Sequence, residues 1–212
     1  MGDSTMTLLL LSTATVAIVH TLAPDHWIPF VGMGRARDWS VSKVLWVTVA
    51  GGIAHVGSSV LIGALGMMLG FSLTSLTGLE SGRGQIAGLL LIGFGIAYAI
   101  WGWKKMHSHT HAHSHEGNPM AIWGLIAIFV LGPCEPLIPL MFVSAAHGVT
   151  AVVAVTALFS LLTVFMMIAQ VRIASRGIDV LGFTKRMNHH HGHIAAGLVI
   201  AGTGAFVMLL GI

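Results

Sequence analysis

Apolar residues fall in six runs along the chain, roughly 5–23, 44–70, 84–103, 120–146, 150–172 and 193–211. Each approaches or exceeds the roughly 20 residues a helix needs to cross a bilayer. The first run is followed by a short apolar tail at 27–33, beyond Pro24. Proline has no amide hydrogen to give to a helix, so the pattern predicts a broken first span whose tail returns into the membrane or completes the crossing. The fourth run is interrupted by Gly132, Pro133, Cys134, Glu135 and Pro136, and again by Pro139. Non-helical backbone at that depth is tolerated only where protein buries it or where it lines a cavity. The expected fold is an all-α polytopic membrane protein with six transmembrane helices, broken in spans one and four.

Part of the pattern occurs twice. Asp25-His26-Trp27-Ile28-Pro29-Phe30 aligns with Glu135-Pro136-Leu137-Ile138-Pro139-Leu140, an acid and two residues before Ile-Pro in each broken span. Gln85-Ile86-Ala87-Gly88 aligns with His193-Ile194-Ala195-Ala196, and the match continues through Leu90/Leu198, Ile92/Ile200, Ala97/Ala205 and Tyr98/Phe206. In the middle spans His55 falls near Ser160 and Ser58 near Thr163. With three spans per copy, the second copy enters the membrane upside down. The prediction is therefore a single transmembrane domain over 1–212, made of two inverted three-helix repeats. Repeat one covers about 5–103, a loop 104–118, and repeat two about 119–212. Inverted repeats with corresponding broken helices point to a transport site near the bilayer midplane.

Composition agrees with a membrane class. Hydrophobic residues make up 55% of the 212 positions and charged residues 8%, against roughly 25% charged in soluble domains. The first run lacks a preceding basic segment, so it is expected to be a retained span and not a cleaved signal. Arg35, Arg37, Lys43, Lys104, Lys105, Arg172, Arg176, Lys185 and Arg186 fall in the odd-numbered predicted loops, and only Arg83 in an even-numbered one. The positive-inside rule then places loops one, three and five in the cytoplasm and both termini outside, in a multi-pass protein of the inner (plasma) membrane. Trp39, Trp101, Trp103 and Trp123 lie near span ends, where interfacial tryptophans anchor. No phosphate-binding glycine loop is present, which excludes an ATP-driven pump in one chain, and no nucleic-acid partner is expected. A single cysteine rules out an internal disulfide.

The chemistry gathers at the breaks. His20, Asp25 and His26 put two imidazoles and a carboxylate at the end of a membrane-length run, where ionisable groups are costly and mark function. On a straight helix of about 100° per residue, Asp25 and His26 would point about 140° and 240° away from His20. Unwinding at Ala23-Pro24 would let both fold back toward it. The competing reading is that Asp25 caps a short following helix and the histidines bond backbone. His55 lies mid-span among Gly51, Gly52, Gly57, Ser58 and Ser59, either as a ligand or as a core residue. Cys134 and Glu135 occupy the matching break, and with Ser160 and Thr163 they are candidates for a second-half pathway. The stretch 107–115 carries His107, His109, His111, His113 and His115 in alternation with small residues, and His189, His190 and His191 form a second tract on the same predicted side. Such histidine tracts read as metal-binding by composition, here for capture of ions from the cytoplasm. The 12 methionines, Met67, Met68, Met166 and Met167 among them, read as core filler and not as copper ligands.

The string His20-x4-Asp25-His26 resembles the signature of the nickel/cobalt transporter family, within the lysine-exporter superfamily. The histidine-rich loop between spans three and four is similar to that of the nickel/cobalt efflux members, and the six-span size to urease-accessory-type nickel permeases. The resemblance implies a secondary transporter and not an enzyme. Ni²⁺ or Co²⁺ would be its cargo, with no tightly bound cofactor, and His20, Asp25 and His26 would form the selectivity site. A cytosolic metallochaperone or a second copy would be a natural partner. The chain departs from the uptake members in having fewer spans, and in carrying Thr21-Leu22-Ala23-Pro24 where they have a further acid. The second break resembles membrane thiol–disulfide carriers of the cytochrome-c-biogenesis type, which have a Pro-Cys motif in each half; this chain keeps Cys134 and has Pro24 at the other position. Three readings therefore stand: a divalent-metal transporter; a transporter of this fold with another substrate, or a thiol-redox carrier using Cys134; and a membrane metalloenzyme.

Overall fold

In the computed structural model, which describes residues 2–107, 119–132, 134–180 and 189–210, the regular secondary structure among those residues is all helical. Helix α1 (Gly2–Thr21) leads through a 3₁₀ turn (Pro24–His26) to α2 (Ile28–Ala36). Two long helices follow, α3 (Val41–Met68) and α4 (Leu73–His107). The second half repeats that order. Short helices α5 (Pro119–Leu131) and α6 (Leu137–Ala145) flank a break, and long helices α7 (Val149–Val180) and α8 (His189–Leu210) come after it. Among the described residues five helices, α1, α3, α4, α7 and α8, are long and apolar enough to cross a membrane. Their outer faces expose Trp46, Leu61, Leu161, Phe165 and Leu209, an apolar surface that suits lipid and not water. The chain is a helical, multi-pass membrane protein in character.

Local chemistry explains the ends. Ala23 takes φ −54°, ψ 134°, the extended conformation forced on a residue before proline, and this stops α1. Pro29 then sits in the first turn of α2, where its missing N–H costs nothing. Helix α2 closes with Asp38 at φ 48° and the Trp39 amide bonded to the Gly34 carbonyl at 2.9 Å, a left-handed C-terminal cap. Ser40 opens α3 by accepting from the Lys43 amide, as N-cap serines do.

Packing pairs the halves. Helix α1 contacts α7 as α5 contacts α3, and α2 contacts α8 as α6 contacts α4, while α3 meets α7 and α4 meets α8. The α4–α8 contact is the most extensive and runs on glycine. A Cβ added to Gly197 would come within 2.5 Å of the Ala99 amide nitrogen, and one on Gly204 within 2.9 Å of the Gly88 carbonyl oxygen. Close backbone approach through small residues is how helices associate without a hydrophobic drive between them.

The structure corrects the predicted boundaries in two places. The third run, expected at 84–103, is helical from Leu73, so Arg83 is not in a loop; it lies inside α4, one turn from Glu80, and the two form an ion pair. Polar residues at 74–84 hid this extension, because neutral glycine, serine and threonine lower apolar density without ending a helix. Helix α7 likewise continues to Val180 and carries Arg172 and Arg176, while α8 begins at His189. His189, His190 and His191 therefore stand in the first turn of a helix and not in a loop. His109, His111, His113 and His115 lie outside the described residues, and His107 is the last residue of α4.

Candidate metal site

The break after α1 does the geometric work that a straight helix could not. The Leu22 and Ala23 amides bond back to the Val19 and His20 carbonyls at 3.2 Å each, tightening the last turn before Pro24 reverses the chain. His26, 2% exposed, is thereby carried back over His20, and their Nε2 atoms lie 3.1 Å apart. Asp25 Oδ1 is 3.0 Å from His26 Nδ1. An ionised carboxylate can only accept, so His26 Nδ1 donates and its Nε2 keeps a lone pair. Asp25 thus orients a histidine from behind, an arrangement common around bound metals.

His55 enters from the middle of α3. Its ring stands 4.9 Å from that of His26, edge to face, and 6.1 Å from that of His20. Its Nε2 is buried and has no hydrogen-bond partner among the described residues. Gly132 makes room for the ring: a Cβ there would lie 3.2 Å from His55 Nδ1. From the second break comes Cys134, fully buried, with Sγ 3.6 Å from His20 Nε2. His20, His55 and Cys134 each offer a ligand atom, all within 4.8 Å of one another. Bonds of about 2.0–2.3 Å in a tetrahedral site imply ligand–ligand edges of about 3.3–3.8 Å. The His20–Cys134 separation falls in that range, and the His20–His26 one, at hydrogen-bond distance, is just below it.

His20, Asp25, His26, His55 and Glu135 line one cavity of about 690 Å³. Glu135 is exposed there. Of the other second-half candidates, Ser160 donates to the Thr156 carbonyl of its own helix at 2.6 Å. Thr163 is buried, with no hydrogen-bond partner among the described residues, and neither residue lines the cavity. His191 is exposed. His193, the next histidine, is buried with Nδ1 2.9 Å from the Tyr98 hydroxyl and serves the α4–α8 contact.

Two residues that sequence reasoning passed over stand behind the site. Glu80 is 1% exposed and accepts from the Ser59 hydroxyl at 2.8 Å and from the Cys134 amide at 3.2 Å. Arg83 donates to the Ser58 hydroxyl at 2.7 Å and to the Val130 carbonyl at 2.8 Å. The signal was present in an acid and a base three apart on a helix, with serines in the middle of a neighbouring apolar run, but the predicted span began at 84, four residues too late to include both. Comparison of the chain with protein-family models, with curated proteins and with solved structures finds no match.

The role of Asp25 can be isolated. Asp25→Asn keeps the shape and removes the charge behind His26, and is expected to weaken Co²⁺ binding by about 10–100-fold, the usual effect of losing such a partner. Asp38→Asn, at an exposed cap that asparagine also suits, should leave it unchanged. Equal affinities for the two variants in a calorimetric titration would remove Asp25 from the site.

Proposed function

We propose that the chain is a secondary transporter of divalent transition-metal ions, with Ni²⁺ or Co²⁺ as cargo. The observation that carries this reading is the convergence of three imidazoles and a thiol at the two helix breaks. Nitrogen and sulfur donors suit borderline cations and disfavour Mg²⁺ and Ca²⁺, which take oxygen. The open cavity beside the donors gives an ion a route to them, and the paired contacts of the two halves support an architecture of two inverted repeats. In that architecture Arg83 no longer counts against the charge bias of the loops, since Glu80 neutralises it. The orientation with 104–118 in the cytoplasm, in the inner (plasma) membrane, follows from the remaining basic residues. The resemblance of His20-x4-Asp25-His26 to the nickel/cobalt transporter signature points the same way.

The thiol-carrier alternative is weaker on one observation. A carrier must present sulfur to a partner protein, and Cys134 is fully buried behind His20. Metal uptake into proteoliposomes, comparing Ni²⁺, Co²⁺, Zn²⁺ and Mn²⁺, tests the proposal. Ion movement that saturates with Ni²⁺ or Co²⁺ is the expected result. No movement of any of the four, with disulfide exchange through Cys134 instead, would replace it.

The histidine-rich loop is assigned to capture, with hand-over to a cytosolic metallochaperone as the natural source or sink. Deleting 107–115 should lower transport at limiting metal and leave it near wild type at saturating metal. The difference between deleted and intact protein should vanish as pH falls through about 6.5, where imidazoles take up protons and release metal. Complete loss of transport at saturating metal, with normal membrane insertion, would place the loop in the pathway itself.

A further inference from the structure

Glu80 and Arg83 are charges in a membrane helix, and their bonds divide between the second break and α3. Helix α5 ends at Leu131, so carbonyls at its last turn and the amides that follow lack helical partners. Arg83 donates to the carbonyls of Val130, at 2.8 Å, and Gly132, at 3.4 Å. Glu80 and the Ser59 hydroxyl together receive the Cys134 amide, at 3.2 and 3.0 Å. The same pair grips α3 through Ser58 and Ser59. Ser59 stands one turn beyond His55, so the two share a side of that helix. The clamp therefore ties the cysteine-bearing backbone to the very turn of α3 that carries a ligand imidazole.

We propose that Glu80 and Arg83 are positioning residues of the metal site. By bonding the main chain at Val130, Gly132 and Cys134 they hold the Cys134 sulfur in one ligand set with His20 and His55, which makes the site a mixed nitrogen–sulfur centre for a borderline cation. The proposal rests on the metal reading above. On binding, the thiol gives up its proton to the solvent and the thiolate becomes the ligand. Without the clamp the imidazoles still bind an ion, and the sulfur drifts from it.

Co²⁺ is the probe, added to the purified full-length chain. Thiolate ligation gives a near-ultraviolet charge-transfer band, distinct from the visible bands that any Co²⁺ site shows. The wild type is expected to show both, and Cys134→Ser only the visible ones. Glu80→Gln/Arg83→Gln, which removes both charges together, and Ser59→Ala, which removes one hydroxyl, should each bind Co²⁺ with a diminished charge-transfer band. A metal-free measurement runs beside this: in both variants Cys134 should react with a small neutral thiol reagent about tenfold faster than in the wild type, because its amide has lost a buried partner. A full charge-transfer band and wild-type thiol reactivity in the folded variants would overturn the clamp and leave the metal site standing. Absence of Co²⁺ binding by the wild type would overturn the metal reading and this proposal with it. If the double variant does not fold, Ser59→Ala decides the question.

Discussion

His20→Ala is expected to lower Ni²⁺ or Co²⁺ affinity of the purified protein by more than the about 100-fold that loss of a mere supporting group can cost. His20 is the hinge of the donor set. Its Nε2 lies 3.1 Å from His26 Nε2 and 3.6 Å from Cys134 Sγ, so it joins the first break to the second. Removing it deletes one ligand and leaves the remaining nitrogens and sulfur without a common vertex. His55→Ala should weaken binding as well, by removing a buried nitrogen that is otherwise without a partner among the described residues. Titration calorimetry on protein lacking 107–115 separates this site from the loop histidines. Unchanged affinity in His20→Ala, His26→Ala and His55→Ala alike would take the metal away from the breaks, and the transport proposal would lose its main support.

Arg83→Ala is expected to be the most damaging single change to the fold. It strands the Glu80 carboxylate, 1% exposed, and releases the Val130 and Gly132 carbonyls at the break. Removing one member of a buried pair costs about 3–5 kcal/mol. Thermal unfolding in detergent should show a large drop in midpoint, and removing the stranded charge as well, in Glu80→Gln/Arg83→Gln, should recover a substantial part of it. A midpoint within error of wild type for Arg83→Ala would mean that water reaches the pair and that its bonds to the break carry little energy.

The chain alone offered a role for His20, but neither its contact with Cys134 nor the Glu80–Arg83 pair, and the reason is physical. Hydropathy reports how much of a segment avoids water. It identified the long apolar helices and both interruptions, because proline at 24, 29, 133, 136 and 139 is a local constraint that no neighbour can cancel. It also flagged His20, Asp25 and His26, since charged and imidazole groups beside an apolar run are conspicuous wherever they fold. It misplaced the start of α4 and the end of α7. Glycine, serine and threonine read as loop in sequence, yet inside a membrane protein they are the residues that let helices touch.

Sequence by itself settled the class of protein, the positions of the two breaks, and the presence of imidazole and carboxylate groups at the first. Backbone covalent structure and side-chain polarity act within a few residues, and those features need nothing more. Tertiary structure decided which groups meet. It set Asp25 Oδ1 against His26 Nδ1, brought Cys134 from the second half against His20, gave His55 a place beside both histidines, and drew Glu80 and Arg83 out of an assumed loop to hold the broken backbone. Apart from Asp25–His26, neighbours in the 3₁₀ turn, those contacts join residues from separate elements. Their distances depend on how close glycine and serine let the helices come, a quantity that no single segment encodes.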